Sequence, residues 1–235
     1  MKTICIIQPY VFPYLPYFQL AGAVDEFWVF DDVQYIRRGW MNRNYILNNG
    51  QRQLFTLPIS KGHQGDLILD KKLPENFASS IEGLKKNLSN AYARAPYLEI
   101  IQAIFDALAA KQWHYFLDFS EMTLGEIFRQ LGIETAIQRT SKLLIPDNIH
   151  GANRIIEVCR RVGANRYVNP IGGVSLYNHD VFAAKGLQLN FLEGILAPYP
   201  QHGVREFEPG LSILDLIAWT DPADYAFQLR NFKLR

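Results

Sequence analysis

The sequence predicts an α/β fold: an open, mainly parallel sheet flanked by helices, with a helical insertion around residues 77–131. Three observations predict it. A strand, a helix and a second strand follow one another within roughly the first thirty residues, the signature of a βαβ unit with a right-handed crossover. Three times in the C-terminal half, a helical pattern runs into a glycine and a strand begins just behind it. Between these regions, Phe77 to Leu131 carries helical periodicity.

Taken in order, Ile4–Ile7 is a β-branched apolar run that Pro9 ends, which reads as a buried strand. Tyr14, Tyr17, Phe18, Ala21 and Val24 are spaced for one helix face. Phe27–Phe30 is a second buried strand, and Gln51–Pro58 a further one. Ser60–Pro74 is polar and contains glycine, so it is expected to be a mobile loop. Pro96 divides the helical stretch into two helices, because proline suits a first turn and not an interior. Gly132, Gly163 and Gly186 are then the helix stops before strands at Ile133–Ile137, Arg166–Val168 and Leu187–Leu192. Residues 1–235 read as one α/β domain, with no fixed-period repeat and no low-complexity tract.

Composition narrows the function classes. With 24 basic against 23 acidic residues the formal charge is +1, which gives no global attraction to nucleic acid or to an anionic membrane. No stable nucleic-acid partner is expected. No run of about 20 apolar residues offers a membrane span, and the N-terminal apolar run turns polar at Gln8, too early for a signal-peptide core. The expected location is the cytoplasm. The two cysteines, Cys5 and Cys159, lie in apolar patterns and read as buried hydrophobes. The five histidines are scattered without metal spacing, and no serine or cysteine sits in a nucleophile-elbow context. Aromatics reach 13%, enough to furnish both a core and the walls of a ligand cleft.

Four segments could carry chemistry. The first, Gln8 to Phe18, follows the first strand, where open α/β sheets bind ligands, and brings Gln8, Tyr14 and Tyr17. The second, Asp31 to Asn44, is the densest. Asp31 and Asp32 at a strand end could act as a base or hold a divalent ion. Arg38 and Arg43 could fork onto phosphate, Trp40 could stack on a sugar or base, and Asn44 could add hydrogen bonds. A surface turn whose acids and arginines pair with each other is the structural alternative. The third, Asn169 with Gly172 and Gly173, follows a strand and opens a helix, permitting close backbone approach, although Ser175 there is an equally good plain N-cap. The fourth, Pro209 to Asp215, has Ser212 and Asp215 spaced like a capping box, so a helix start is the better reading.

These segments together resemble the WbqC-like protein family from end to end. The residues that carry the resemblance are Ile6-Ile7-Gln8-Pro9-Tyr10 with Phe12-Pro13-Tyr14 and Tyr17-Phe18-Gln19-Leu20, then Asp31-Asp32-Val33 and Arg38-Gly39-Trp40 with Asn42-Arg43-Asn44. Ala91-Tyr92, Ala95-Pro96-Tyr97, Gly163-Ala164 with Tyr167-Val168-Asn169-Pro170-Ile171-Gly172-Gly173, and Pro209-Gly210-Leu211-Ser212-Ile213-Leu214-Asp215 complete the ordered set. Pro16 departs from it, standing where a small residue, usually glycine, is expected. The resemblance implies a role in bacterial surface-polysaccharide (O-antigen-like) synthesis, as a transferase adding glycine or another aminoacyl group to an amino sugar or nucleotide sugar. Such a reaction needs a base, for which Asp32 or Asp31 is the candidate, and an activated acyl donor of unspecified type. Two alternatives stand beside it. One is a nucleotidylyltransferase-like enzyme, in which Tyr14 and Tyr17 occupy the turn where catalytic histidines are expected. The other is a non-catalytic sugar- or nucleotide-binding accessory.

Overall fold

A computed structural model describes residues 1–63 and 65–235. Its core is a six-stranded sheet in the order β5-β2-β1-β6-β7-β8, formed by Thr3–Ile7 (β1), Glu26–Val29 (β2), Ala136–Arg139 (β5), Arg166–Pro170 (β6), Gln188–Gly194 (β7) and Phe232–Leu234 (β8). All neighbours are parallel except β8, which closes one edge antiparallel to β7. The chain winds outward from β1 to β2 and β5, then returns to the other side of β1 for β6 and β7. That reversal places a topological switch point at the carboxyl ends of β1 and β6.

Pleating sorts the strand residues onto two faces. Cys5, Phe27 and Val29 join one buried cluster, while Ile4, Ile6 and Trp28 join the other. The second cluster is covered by α5 (Gly151–Val162), whose Ile155, Val158 and Cys159 face the sheet. The first is covered by α1 (Leu15–Gly22), α7 (Ile213–Trp219) and the helical stretch 77–131. That stretch forms three helices rather than two: α2 (Phe77–Ala91), α3 (Leu98–Ala109) and α4 (Phe116–Leu131). It is integral to the sheet's core, with the Phe128 ring edge-on to Phe18 and Phe27 at 6.1 and 5.7 Å.

Gly132 and Gly163 take left-handed φ angles of 68° and 67° as C-caps of α4 and α5, which only glycine adopts without a Cβ penalty. Gly186 (φ 72°) lies beyond the end of a five-residue helix, α6 (His179–Ala183), which stops at Ala184. Two features go beyond the sequence expectations. Residues 43–48 are a strand: Arg43–Asn48 (β3) pairs antiparallel with Gln51–Thr56 (β4) in a separate hairpin. The expected mobile loop at 60–74 contains a short 3-10 turn at Ile68–Asp70, with Ile68 and Lys71 buried. Gln64, within that stretch, lies outside the described residues.

Candidate functional site

Beyond the carboxyl ends of β1 and β2, two clefts lie side by side. The first has a volume of about 420 Å³ and an aromatic lining: Tyr10, Tyr14, Trp40 and Tyr45, with Asn44, Arg52, Pro13 and Gly210. The turn after β1 supplies Tyr10, Pro13 and Tyr14. The segment after β2 and the β3–β4 hairpin supply the rest, apart from Gly210.

That turn is held by a strained residue. Phe12 is fully buried with φ at 49°, a conformation costly for a bulky side chain, and its surroundings over-determine it. Its ring stacks on Phe105 at 5.2 Å. Its carbonyl accepts hydrogen bonds from Asn44 Nδ2 (2.8 Å) and Ser212 Oγ (2.9 Å). Tyr10 is further set by stacking on Tyr17 at 5.8 Å. Burial holds the phenols of Tyr10 and Tyr14 above their usual range, so both remain hydrogen-bond donors at neutral pH. Across the cleft, the Arg52 guanidinium lies 4.4 Å from the centre of the Tyr45 ring and pairs with Glu208 at 2.8 Å.

The second cleft, about 550 Å³, is cationic. Arg37, Arg38, Arg43, Lys61 and Lys71 line it together with the hydroxyls of Tyr35, Thr56 and Ser60. Lys71 forms the floor, its side chain 5% exposed, bonded to Asp66 at 2.9 Å and lying 5.4 Å from the Tyr35 ring centre. That bond holds the Asp66 carboxyl below the ordinary carboxylate range. Burial pushes the Tyr35 phenol up to about 12. Arg37 donates to the Gly62 carbonyl and Arg43 to the Arg38 carbonyl. Arg38 is itself left-handed (φ 60°). The Arg43 guanidinium sits 5.3 Å over the Trp40 ring. Trp40 and Arg43 thus form a partition with the aromatic cleft on one side and the cationic cleft on the other.

Of the residues expected from sequence, Tyr14, Trp40 and Asn44 line the aromatic cleft, and Arg38 and Arg43 the cationic one. Asp31 and Asp32 line neither. Asp31 is fully buried, and both its oxygens are engaged: Oδ1 by the Ser141 amide (2.9 Å) and Oδ2 by Ser141 Oγ (2.5 Å). Asp32 accepts from Thr140 Oγ1 at 2.6 Å and pairs with Arg154 at 2.6 Å, the two side chains being 10% and 6% exposed. The pair therefore ties the ends of β2, β5 and α5 together. Arg154 pairs with Asp32, while hydrogen bonds alone engage Asp31.

Tyr17 is a core residue, 2% exposed, whose hydroxyl donates to the Gln8 carbonyl at 3.0 Å. Gln8 contributes that backbone contact and lines neither cleft. Asn169 is turned inward, accepting from Tyr167 Oη and donating to the Pro170 carbonyl. Gly173 accommodates it: a Cβ there would stand 1.9 Å from Asn169 Nδ2, whereas around Gly172 space is open. The segment after β6 opens a 3-10 turn, Ile171–Leu176, rather than an α-helix, and Asn178, not Ser175, caps the helix that follows. Ser212 caps α7 through the Leu214 amide. Asp215 does not reach back as a capping-box partner. It accepts instead from Tyr199 Oη and Gln201 Nε2, each at 2.9 Å.

Sequence reasoning passed over Tyr10 as a site residue, and Tyr45, Arg52, Arg37, Lys61 and Lys71 as well. Tyr10 carried a signal, since it stands in the loop beyond the first strand.

Comparison with known proteins adds two findings. The model of a family described as the WbqC-like protein family matches residues 8–226. The uncharacterized protein Rv1507c of Mycobacterium tuberculosis is 27% identical over 229 residues, covering 92% of this chain and 93% of that protein. No solved structure matches.

Proposed function

The chain belongs to the WbqC-like protein family, and from that premise we propose that it is a transferase of bacterial surface-polysaccharide assembly, acting in the cytoplasm on an amino sugar or nucleotide-linked amino sugar. One observation carries the reading: four aromatic rings, an amide and an arginine converge in a cleft of about 420 Å³ at the carboxyl end of the central strand. Aromatic faces stack on sugar rings and bases, while a few polar groups fix orientation. The reaction is transfer of an acyl group, such as glycyl, from an activated donor to the sugar amine: the new C–N bond forms as the bond from the acyl carbon to the donor's leaving group breaks, and the leaving group departs with the amine proton. The protonated phenols of Tyr10 and Tyr14 are suited to donate to the oxyanion that develops on the acyl oxygen, and Arg52, held by Glu208, has further N–H donors for a polar group of the ligand.

The lining residues also favour a second reading. Both clefts are walled by aromatic, amide, hydroxyl and cationic groups, and neither lining includes a carboxylate or imidazole. A protein with that lining serves equally as a carrier that presents the same ligand to another enzyme.

The test titrates a uridine diphospho-amino sugar by calorimetry, and follows tryptophan emission alongside in the chain that retains Trp40, one of its four tryptophans. Binding should change the emission, and Trp40→Ala or Tyr14→Ala should weaken affinity at least about tenfold, the equivalent of one stacking contact of roughly 1.4 kcal/mol. Mass spectrometry of the acceptor incubated with activated glycine then separates the readings, because only the transferase adds a glycyl mass. Unaltered affinity in both variants would remove the aromatic cleft from the proposal.

A further inference from the structure

The cationic cleft is unusual against the rest of the molecule. Basic and acidic residues are balanced along the chain, 24 to 23. In this cleft five basic side chains meet with no carboxylate in the lining. Asp66, bonded to Lys71, offsets one of them and leaves an excess of four positive charges. Like charges gathered in one concavity repel and focus a positive field into it, an arrangement that an anionic ligand relieves.

The cations approach from three sides. Arg37 and Arg38 come from the loop after β2, Arg43 from the start of β3, and Lys61 and Lys71 from the segment after β4. Each bonded arginine uses one nitrogen on the protein, Arg37 on the Gly62 carbonyl and Arg43 on the Arg38 carbonyl. A guanidinium has five donors, so most remain for a ligand. The Arg43 Nε–H is buried, and among the described residues nothing accepts from it. A single phosphate monoester brings about −1.5 to −2 at neutral pH, short of the excess of four, and a second phosphoryl group adds both charge and acceptor oxygens towards it.

We propose that this cleft is a diphosphate site, and that the organic group held in the neighbouring aromatic cleft is joined to that diphosphate across the Trp40–Arg43 partition. The ligand is then a diphosphate ester. The second half of the inference rests on the aromatic-cleft reading above, while the first stands without it. Two kinds of molecule share the chemistry, a nucleoside diphosphate and a prenyl diphosphate, and the test includes both.

Calorimetry on the full chain at fixed ionic strength would titrate inorganic phosphate, inorganic pyrophosphate, uridine diphosphate and geranyl diphosphate. Pyrophosphate should bind at least about tenfold tighter than phosphate, and one of the two esters should bind tighter still. Arg43→Met and Lys71→Met should each weaken pyrophosphate at least about tenfold. Because Lys71 is buried, Arg38→Asn is the control for folding: Arg38 is exposed, and asparagine tolerates its left-handed backbone. It should keep the wild-type melting temperature and still weaken pyrophosphate. Equal affinity for phosphate and pyrophosphate, or no pyrophosphate binding, overturns the diphosphate site. Esters that gain nothing over pyrophosphate overturn the bridging ligand. Pyrophosphate binding together with an amino-sugar affinity that Trp40→Ala and Tyr14→Ala leave unaltered would sink the function proposed above while leaving the diphosphate site standing.

Discussion

Asp32→Asn separates a structural acid from a catalytic one. In the folded chain Asp32 pairs with Arg154 at 2.6 Å, and the two side chains are 10% and 6% exposed. Removing one partner of a buried pair costs about 3–5 kcal/mol, because the other charge stays behind without compensation. Asparagine can still accept from Thr140, and Arg154 keeps its bonds to the Pro146 and Ile149 carbonyls at 3.1 Å each, which places the loss near the lower end, about 3 kcal/mol. In a domain of this size that lowers the melting temperature by roughly 6–12 °C. Arg154→Met made together with Asp32→Asn removes both charges and should recover most of the loss, giving a coupling of about 2 kcal/mol in the double-mutant cycle. Thermal melts of the four proteins supply the cycle, and amino-sugar titration at low temperature, where all are folded, supplies the affinity. The structural role predicts that affinity and transfer persist in Asp32→Asn. A variant that melts like wild type yet neither binds nor transfers would refute this reasoning and return the acidic pair to the reaction.

Two more substitutions test neighbouring assignments. Burial lifts the Asp215 carboxyl above its ordinary 3.8, so the folded chain holds that proton more tightly than the unfolded chain does. Its contribution to stability is full below pH 3.8 and is lost as pH rises through the raised folded value. Asp215→Asn has no charge to bury, so its melting temperature minus that of wild type should climb as pH rises from 3.8 towards neutrality, and a flat difference would contradict the buried carboxylate. Tyr17→Phe removes one buried bond to the Gln8 carbonyl, which should cost about 0.5–1.5 kcal/mol in chemical denaturation and leave amino-sugar affinity within about twofold. A large loss of affinity with unchanged stability would restore Tyr17 to the binding site.

The fold was legible where local chemistry is one-dimensional. The apolar runs Ile4–Ile7 and Phe27–Phe30 and the glycines at 132 and 163 depend on near neighbours, and the structure places strands and helix stops there. The β3 strand was not legible because its polar opening, Arg43-Asn44, resembles a loop. Its apolar members, Ile46 and Leu47, gain a partner only once Gln51–Thr56 folds back on them. The 60–74 segment read as mobile for a similar reason. Ile68 sits in a three-residue apolar run, Leu67-Ile68-Leu69, too short to mark an element by itself, and only the finished core shows Ile68 fully buried.

The site divides along the same line. Tyr14, Trp40, Arg38 and Arg43 lie in dense local clusters, and density drew attention to them. That same density misdirected attention to Asp31 and Asp32, whose partners Thr140, Ser141 and Arg154 are more than a hundred positions away along the chain. The cationic cleft could not be seen as a charge run, since its five cations come from positions 37, 38, 43, 61 and 71 with polar and apolar residues between them. A net charge of +1 averages over just the separation that folding abolishes. Balance over the whole chain limits how far the protein's field reaches, but places no limit on a cleft whose wall carries five positive side chains.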